Sequence, residues 1–135
     1  MPTNNKIGGR VSHGTAGKRA DLGIYVRSAW EANYLRWLNF IGEPWEYEKR
    51  EFVFEKIKRG NRTYRPDVFL SRKNEWHEVK GWMDNDSRVK LKRMAQFYPS
   101  EKIIIIGKEF FQDIERKKLC RIIPGWECRH VNKGE

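Results

Sequence analysis

Tyr64-Arg65-Pro66-Asp67-Val68-Phe69-Leu70, followed eleven positions after its aspartate by Glu78-Val79-Lys80, is the stretch on which the reading of the chain turns. A strand containing Tyr64, Asp67, Val68, Phe69 and Leu70 is predicted, with Ser71-Arg72-Lys73-Asn74 as a turn. Glu75-Trp76-His77-Glu78-Val79-Lys80 is the partner strand, ended by Gly81. Pro66 lacks a backbone donor, which suits a strand's start, an edge or a bulge and helps set the direction of Asp67. Residues i and i+2 of a strand share a face, so Glu78 and Lys80 project together. Two carboxylates can hold a divalent cation and a lysine can steady an attacking water, the requirements of metal-assisted phosphodiester cleavage.

Upstream, Ser28-Ala29-Trp30-Glu31 opens a helix to about Ile41 with a capping-box signature, Ser28 followed three residues later by Glu31. Trp30, Tyr34, Trp37, Leu38 and Ile41 mark its buried face, and Gly42 before Glu43-Pro44 ends it. Glu31 has two readings: a capping glutamate reaching back to the Ser28 amide, or a carboxylate pointing into a cleft and helping to hold a metal. Trp45–Glu48 and Glu51–Phe54 alternate as β-structure around a bend at Lys49-Arg50. Glu46 and Glu48 share a face there, as solvated charge or as a second acidic contribution. Lys56, Lys58, Arg59, Gly60, Asn61 and Arg62 form a basic hairpin loop, either solvated or gripping phosphate.

Downstream, Asp84–Ser87 supply N-cap candidates for a basic helix to about Tyr98 that carries Arg88, Lys90, Lys92 and Arg93. Val89, Met94 and Phe97 are available for its packing, and Pro99 closes it. Because this helix follows the acidic cluster, part of its basic face is assigned to phosphate contact. Ile103–Ile106 is a continuous β-branched run, expected as a central strand buried on both faces. A helix around Phe110, Phe111, Ile114 and Leu119 follows, with Phe110-Phe111 packing in the core or forming a dimer interface. Arg121-Ile122-Ile123 is expected as a short last strand. The order predicts an α/β fold with a central mixed β-sheet flanked by helices.

A chain of 135 residues suits one hydrophobic core, and six tryptophans argue against disorder despite 34% charged residues. Residues 1–20, rich in Gly, Ser, Thr and Asn, are expected as a flexible basic arm, either a solvated terminus or one whose Lys18 and Arg19 touch DNA phosphates, and 21–135 as a single nuclease domain. The net charge of +10 favours a polyanionic partner, most simply nucleic acid. No apolar run reaches the roughly 20 residues of a membrane span, and the first residues lack a signal-peptide apolar segment, so no membrane role and a cytoplasmic setting are expected. Cys120, Cys128 and His130 lack the close Cys-x2-Cys pairing of common zinc sites and are read as two reduced thiols near a strand, with no assigned role.

In-line cleavage of a phosphodiester needs an activated water and neutralised charge at phosphorus. Asp67 and Glu78 are the expected ligands of Mg²⁺, for which Mn²⁺ substitutes, with the backbone carbonyl of Val79 as a third donor. Lys80 orients the water and adds positive charge beside the scissile phosphate.

Glu31, Pro66-Asp67 and Glu78-Val79-Lys80 together resemble the PD-(D/E)XK nuclease superfamily, in which a helix-borne glutamate precedes a Pro-Asp strand and a Glu-x-Lys strand. The resemblance covers roughly residues 21 to 106 and implies a restriction-endonuclease-like αβββαβ core, with Glu31 holding the metal or organising the site. Arg27-Ser28-Ala29-Trp30-Glu31 and Glu78-Val79-Lys80-Gly81-Trp82 look like small phage nucleases and Holliday-junction resolvases of phage and archaeal type. That likeness implies a basic homodimer embracing a four-way junction in a bacterial or phage-infected cell during DNA recombination, with Arg27 and Ser28 contacting DNA. Lys58, Arg59 and Arg62 complete the expected DNA-binding set. The alternatives are a nicking or transposition-type endonuclease and a non-catalytic DNA-binding module. The last gains nothing from acids facing phosphate.

Overall fold

Helix α1, Ala29–Ile41, has the two ends its sequence predicts. Ser28 is extended and its hydroxyl accepts the Glu31 amide, while Gly42 adopts the left-handed conformation at φ 77° and returns its N–H to Asn39 and Leu38. The structure, a computed structural model, describes residues 15–128. Its chain divides into two compact units, one drawn from the segments up to Gly42 and from Phe111 onward, the other Glu43–Phe110.

In the first unit, β1 (Gly17–Arg19) and β2 (Ile24–Val26) pair as an antiparallel hairpin. Residues 17–19, expected within a flexible arm, instead form a strand; the part of that expectation before residue 15 lies outside the described residues. Helix α3 runs from Lys108 to Arg116, and its buried Phe111 meets Trp30 at 4.8 Å and Trp126 at 6.3 Å between ring centroids. Of the two roles offered for Phe110-Phe111, Phe111 takes the core one. Arg121-Ile122-Ile123 is not a strand: Leu119–Arg121 is a 3₁₀ helix, followed by a turn. Cys120, within this 3₁₀ helix, and Cys128 are half-buried free thiols, and His130 lies outside the described residues.

The helix α1 is buried over more than one stripe, and the reason is ionic. Arg36, 6% exposed, grips Asp21 through Nε and Nη2 at 2.8 and 3.0 Å and Glu127 through Nη1 at 2.7 Å. Arg19 holds Glu127 from the hairpin side at 2.6 and 3.1 Å. The Asn33 side chain exchanges two hydrogen bonds with the Glu127 backbone. Two arginines and two carboxylates thus neutralise one another where an isolated charge would be costly. Gly125, at φ 80°, lets the chain pass this cluster: a Cβ there would lie 2.7 Å from Asp21 Oδ2 and 2.9 Å from Arg36 Nε.

The second unit contains a four-stranded mixed sheet, ordered β3 (Glu46–Tyr47), β6 (Val68–Leu70), β7 (Glu75–Val79), β8 (Ile103–Ile106). β7 and β8 are parallel, joined by the crossover helix α2 (Asn85–Phe97), and the other pairs are antiparallel. β4 (Phe52–Val53) and β5 (Thr63–Tyr64) form a separate hairpin, closed by a loop in which Gly60 and Asn61 both take positive φ. Two predictions need correction. The strand expected through Tyr64 to Leu70 is split, because Arg65-Pro66-Asp67 interrupts the pairing and β5 and β6 join different partners. The Ile103–Ile106 run is not a central strand: it ends the sheet order, and all four residues are half-buried.

The core of this unit is aromatic. Phe52, Phe54, Tyr64, Trp76 and Met94 are buried together, with Phe69, Leu91, Phe97, Tyr98 and Ile103 packed against them. Phe69 faces Trp76 across the β6–β7 pair at 4.5 Å between centroids, the cross-strand aromatic contact that fixes register. No helix among the described residues is long and apolar enough to cross a membrane.

Candidate functional site

The β6–β7 register decides the site. Val68 pairs with His77, so the residue before β6 and the penultimate residue of β7, Asp67 and Glu78, come side by side. The hydrogen bonds then lock them. Asp67 Oδ2 accepts the Val79 amide at 2.8 Å, and Glu78 Oε1 accepts the Asp67 amide at 3.3 Å. Each acid is thus pinned by the other's strand, and Asp67 is only 6% exposed. Pro66, fully buried just before the aspartate, leaves no amide of its own competing for these acceptors.

Tyr64 is a member of this site that sequence reasoning missed. Its hydroxyl donates to Glu78 Oε1 at 3.1 Å, while its ring belongs to the aromatic core. Burial first, and then the Glu78 carboxylate beside it, push its pKa above the ordinary tyrosine value, so it stays a donor. The signal lay in the sequence as a tyrosine three residues ahead of Asp67, but the split strand that turns it toward Glu78 had no signature. Glu48 was offered as a second acidic contribution; it takes φ 48°, and its amide donates to the Asp67 carbonyl at 2.8 Å.

Val79 enters the site through its amide, whereas the sequence points to its carbonyl. Lys80 follows β7, and its amide continues the parallel pairing by donating to the Ile106 carbonyl at 3.0 Å. Its side chain is half-buried, and its charge reaches Asp84. The Asp84 carboxyl caps α2 by accepting the Ser87 amide at 2.8 Å; that bond, helped by Lys80 and Lys90, holds it below the usual carboxylate range.

The basic residues are partly gathered. The β4–β5 loop is tied to α2, because the Arg93 guanidinium donates to the Gly60 and Asn61 carbonyls and Asn61 Nδ2 donates to Asp86. That tie joins exposed Lys58, Arg59 and Arg62 of the loop to exposed Arg88 and Lys92 and half-buried Lys90 of the helix. Arg93 Nη1 is engaged by the loop carbonyls. Arg19 is likewise held by Glu127, whereas Lys18 and Arg27 are exposed. The Ser28 hydroxyl is engaged by the Glu31 amide.

Glu31 belongs to the first unit. It is 7% exposed, and Oε1 accepts the amide of Arg27 at 3.2 Å, so its reach-back lands one residue earlier than the expected Ser28 amide. Glu31 thus caps through the Arg27 amide and not the Ser28 amide that the capping box names.

Among the described residues, no three or more His, Cys, Asp and Glu side chains gather into a metal-holding group. A closed zinc or calcium cage is therefore a poor match to the site. Mg²⁺ asks for less: it keeps several waters and is held by one or two carboxylates together with substrate phosphates. Two carboxylates fixed side by side by backbone amides fit that cation. Comparison with protein-family models, with curated proteins and with solved structures gives no match.

Proposed function

We propose that the chain is a Mg²⁺-dependent, structure-selective DNA endonuclease of the restriction-endonuclease-like type, a Holliday-junction resolvase acting as a homodimer. One observation carries this reading: Asp67 and Glu78 are locked side by side through each other's strands, with Lys80 next along the chain. The same unit carries the exposed cations of the β4–β5 loop and α2.

In this reading Asp67 and Glu78 hold the cation through carboxylate oxygens, with the Val79 carbonyl as a further donor. Mg²⁺ bound there supplies positive charge against the phosphodiester and makes a water more acidic. Tyr64 positions Glu78 by donating to Oε1. Lys80 orients the attacking water and stabilises negative charge that grows on the phosphate. Lys58, Arg59, Arg62, Arg88, Lys90 and Lys92 neutralise backbone phosphates, which favours recognition of DNA shape over sequence and makes binding weaken steeply with salt. A homodimer matches a two-fold-symmetric four-way junction.

Cleavage of a synthetic four-way junction and of a matched linear duplex, with Mg²⁺ and with EDTA, tests the proposal. Junction cutting that needs Mg²⁺ and exceeds duplex cutting is expected. Equal cutting of both sinks the resolvase assignment and leaves the nuclease one; no cleavage of any branched or linear DNA with Mg²⁺ or Mn²⁺ overturns both and favours a DNA-binding module.

A further inference from the structure

All six tryptophans of the chain fall among the described residues, and they divide sharply. Trp30 and Trp76 are buried, and Trp37, Trp45 and Trp126 are half-buried. Trp82 is 76% exposed, more than any other large apolar side chain described. Folding gains almost nothing from an indole left in water.

Its position says what would cover it. Trp82 lies two residues after Lys80, in the bend between β7 and the Asp84 cap of α2. Around it in sequence are Lys80, Arg88, Lys90 and Lys92. The acids of the segment are otherwise engaged: Asp84 accepts the Ser87 amide, and Asp86 accepts from Asn61. A flat, exposed aromatic face on a cationic segment is the combination that binds unpaired nucleic acid, where bases stack on the ring and phosphates meet the cations.

We propose that Trp82 is a stacking platform for an unpaired nucleobase, engaged when DNA with a single-stranded or unstacked stretch lies along Lys80 and α2. The inference rests on the nuclease reading for the identity of the ligand and adds what that reading lacks, a contact that tells unpaired bases from continuous duplex. Fully paired DNA keeps its bases stacked on one another and offers the indole no face. A branch point or a tail offers one at little cost. Because every base has a π-face, the platform imposes no strong base preference.

The test measures binding by fluorescence anisotropy, with the full chain and Ca²⁺ replacing Mg²⁺. The probes are a labelled duplex with a short single-stranded tail and the same duplex with blunt ends. Trp82→Ala is expected to weaken binding to the tailed probe by about 5- to 100-fold and to leave blunt-duplex affinity within about twofold. Trp82→Phe restores most of the loss, and both variants melt as the unmodified protein does, since the side chain is solvated. The proposal is overturned by unchanged affinity for the tailed probe, by equal losses on both probes, or by sedimentation in which Trp82→Ala dissociates a dimer, which would assign the indole to a second copy. Cleavage by Asp67→Asn is scored separately. If that variant still cuts DNA, the nuclease site is misassigned while the anisotropy result on Trp82 stands.

Discussion

Replacing Tyr64 by phenylalanine removes one oxygen and leaves the ring in the aromatic core. The lost group is the hydroxyl that donates to Glu78 Oε1 at 3.1 Å. A hydrogen bond to a charged acceptor contributes about 1.5 to 3 kcal/mol. Glu78 keeps the Asp67 amide as a donor, so the lower end applies and the carboxylate is loosened without being released. Partners that orient metal ligands typically change metal affinity by about 10- to 100-fold when removed. For Tyr64→Phe we expect the half-saturating Mg²⁺ concentration to rise about tenfold, with the rate at saturating Mg²⁺ within about threefold of the unmodified enzyme. Initial rates of junction cleavage across a Mg²⁺ titration measure this. A purely structural tyrosine would lower stability and leave the titration curve in place. A folded variant whose Mg²⁺ curve superimposes on the original refutes the assignment of Tyr64 as the residue that positions Glu78.

The same tyrosine makes a prediction about alkali: its folded pKa lies above the ordinary value of 10.0, so the unfolded chain releases this proton first. Its contribution is full below pH 10 and declines as pH rises further, and urea midpoints across about pH 8 to 11 should fall less steeply in Tyr64→Phe. Arg36→Met breaks the buried cluster and leaves Asp21 half-solvated and Glu127 with Arg19, so the cost is about 3 kcal/mol, roughly 10 °C in Tm, by thermal melting. Gly125→Ala drives a methyl group onto Asp21 and Arg36 and forces a left-handed alanine, and should destabilise the same unit; a melting curve like that of the original protein contradicts the role given to this glycine. Glu31→Gln keeps an acceptor for the Arg27 amide, so the melting temperature should hold, whereas Glu31→Ala removes it and should lower the melting temperature; equal melting of the two variants would contradict the cap.

Local chemistry was legible in the sequence. Ser28 and Gly42 bound α1, Asp84 caps α2, and Gly60-Asn61 supports the β4–β5 loop, because each of these depends on a few adjacent residues. The pairing of Asp67 with Glu78 was legible as well, since a short turn between two strands leaves little choice of register. What was hidden depends on distance along the chain. Arg36 sits mid-helix, where solvent is the natural guess, and its partner Glu127 is 91 residues away. The isoleucine run looked central because apolar content reports burial and not sheet order, yet β8 ends the sheet. The double grip of Arg19 on Glu127 was hidden for the same reason: a charge count cannot tell an arginine that meets solvent from one that holds a carboxylate.

The most direct test of the account is cleavage of a four-way junction by Asp67→Asn. The amide retains an oxygen for the Val79 N–H, so the fold should survive, and removes the negative charge that the proposal assigns to cation binding. With Mg²⁺, and with circular dichroism and Tm unchanged, the account predicts a loss of cleavage of at least about a hundredfold. A folded Asp67→Asn that cuts the junction at the rate of the unmodified protein would contradict it.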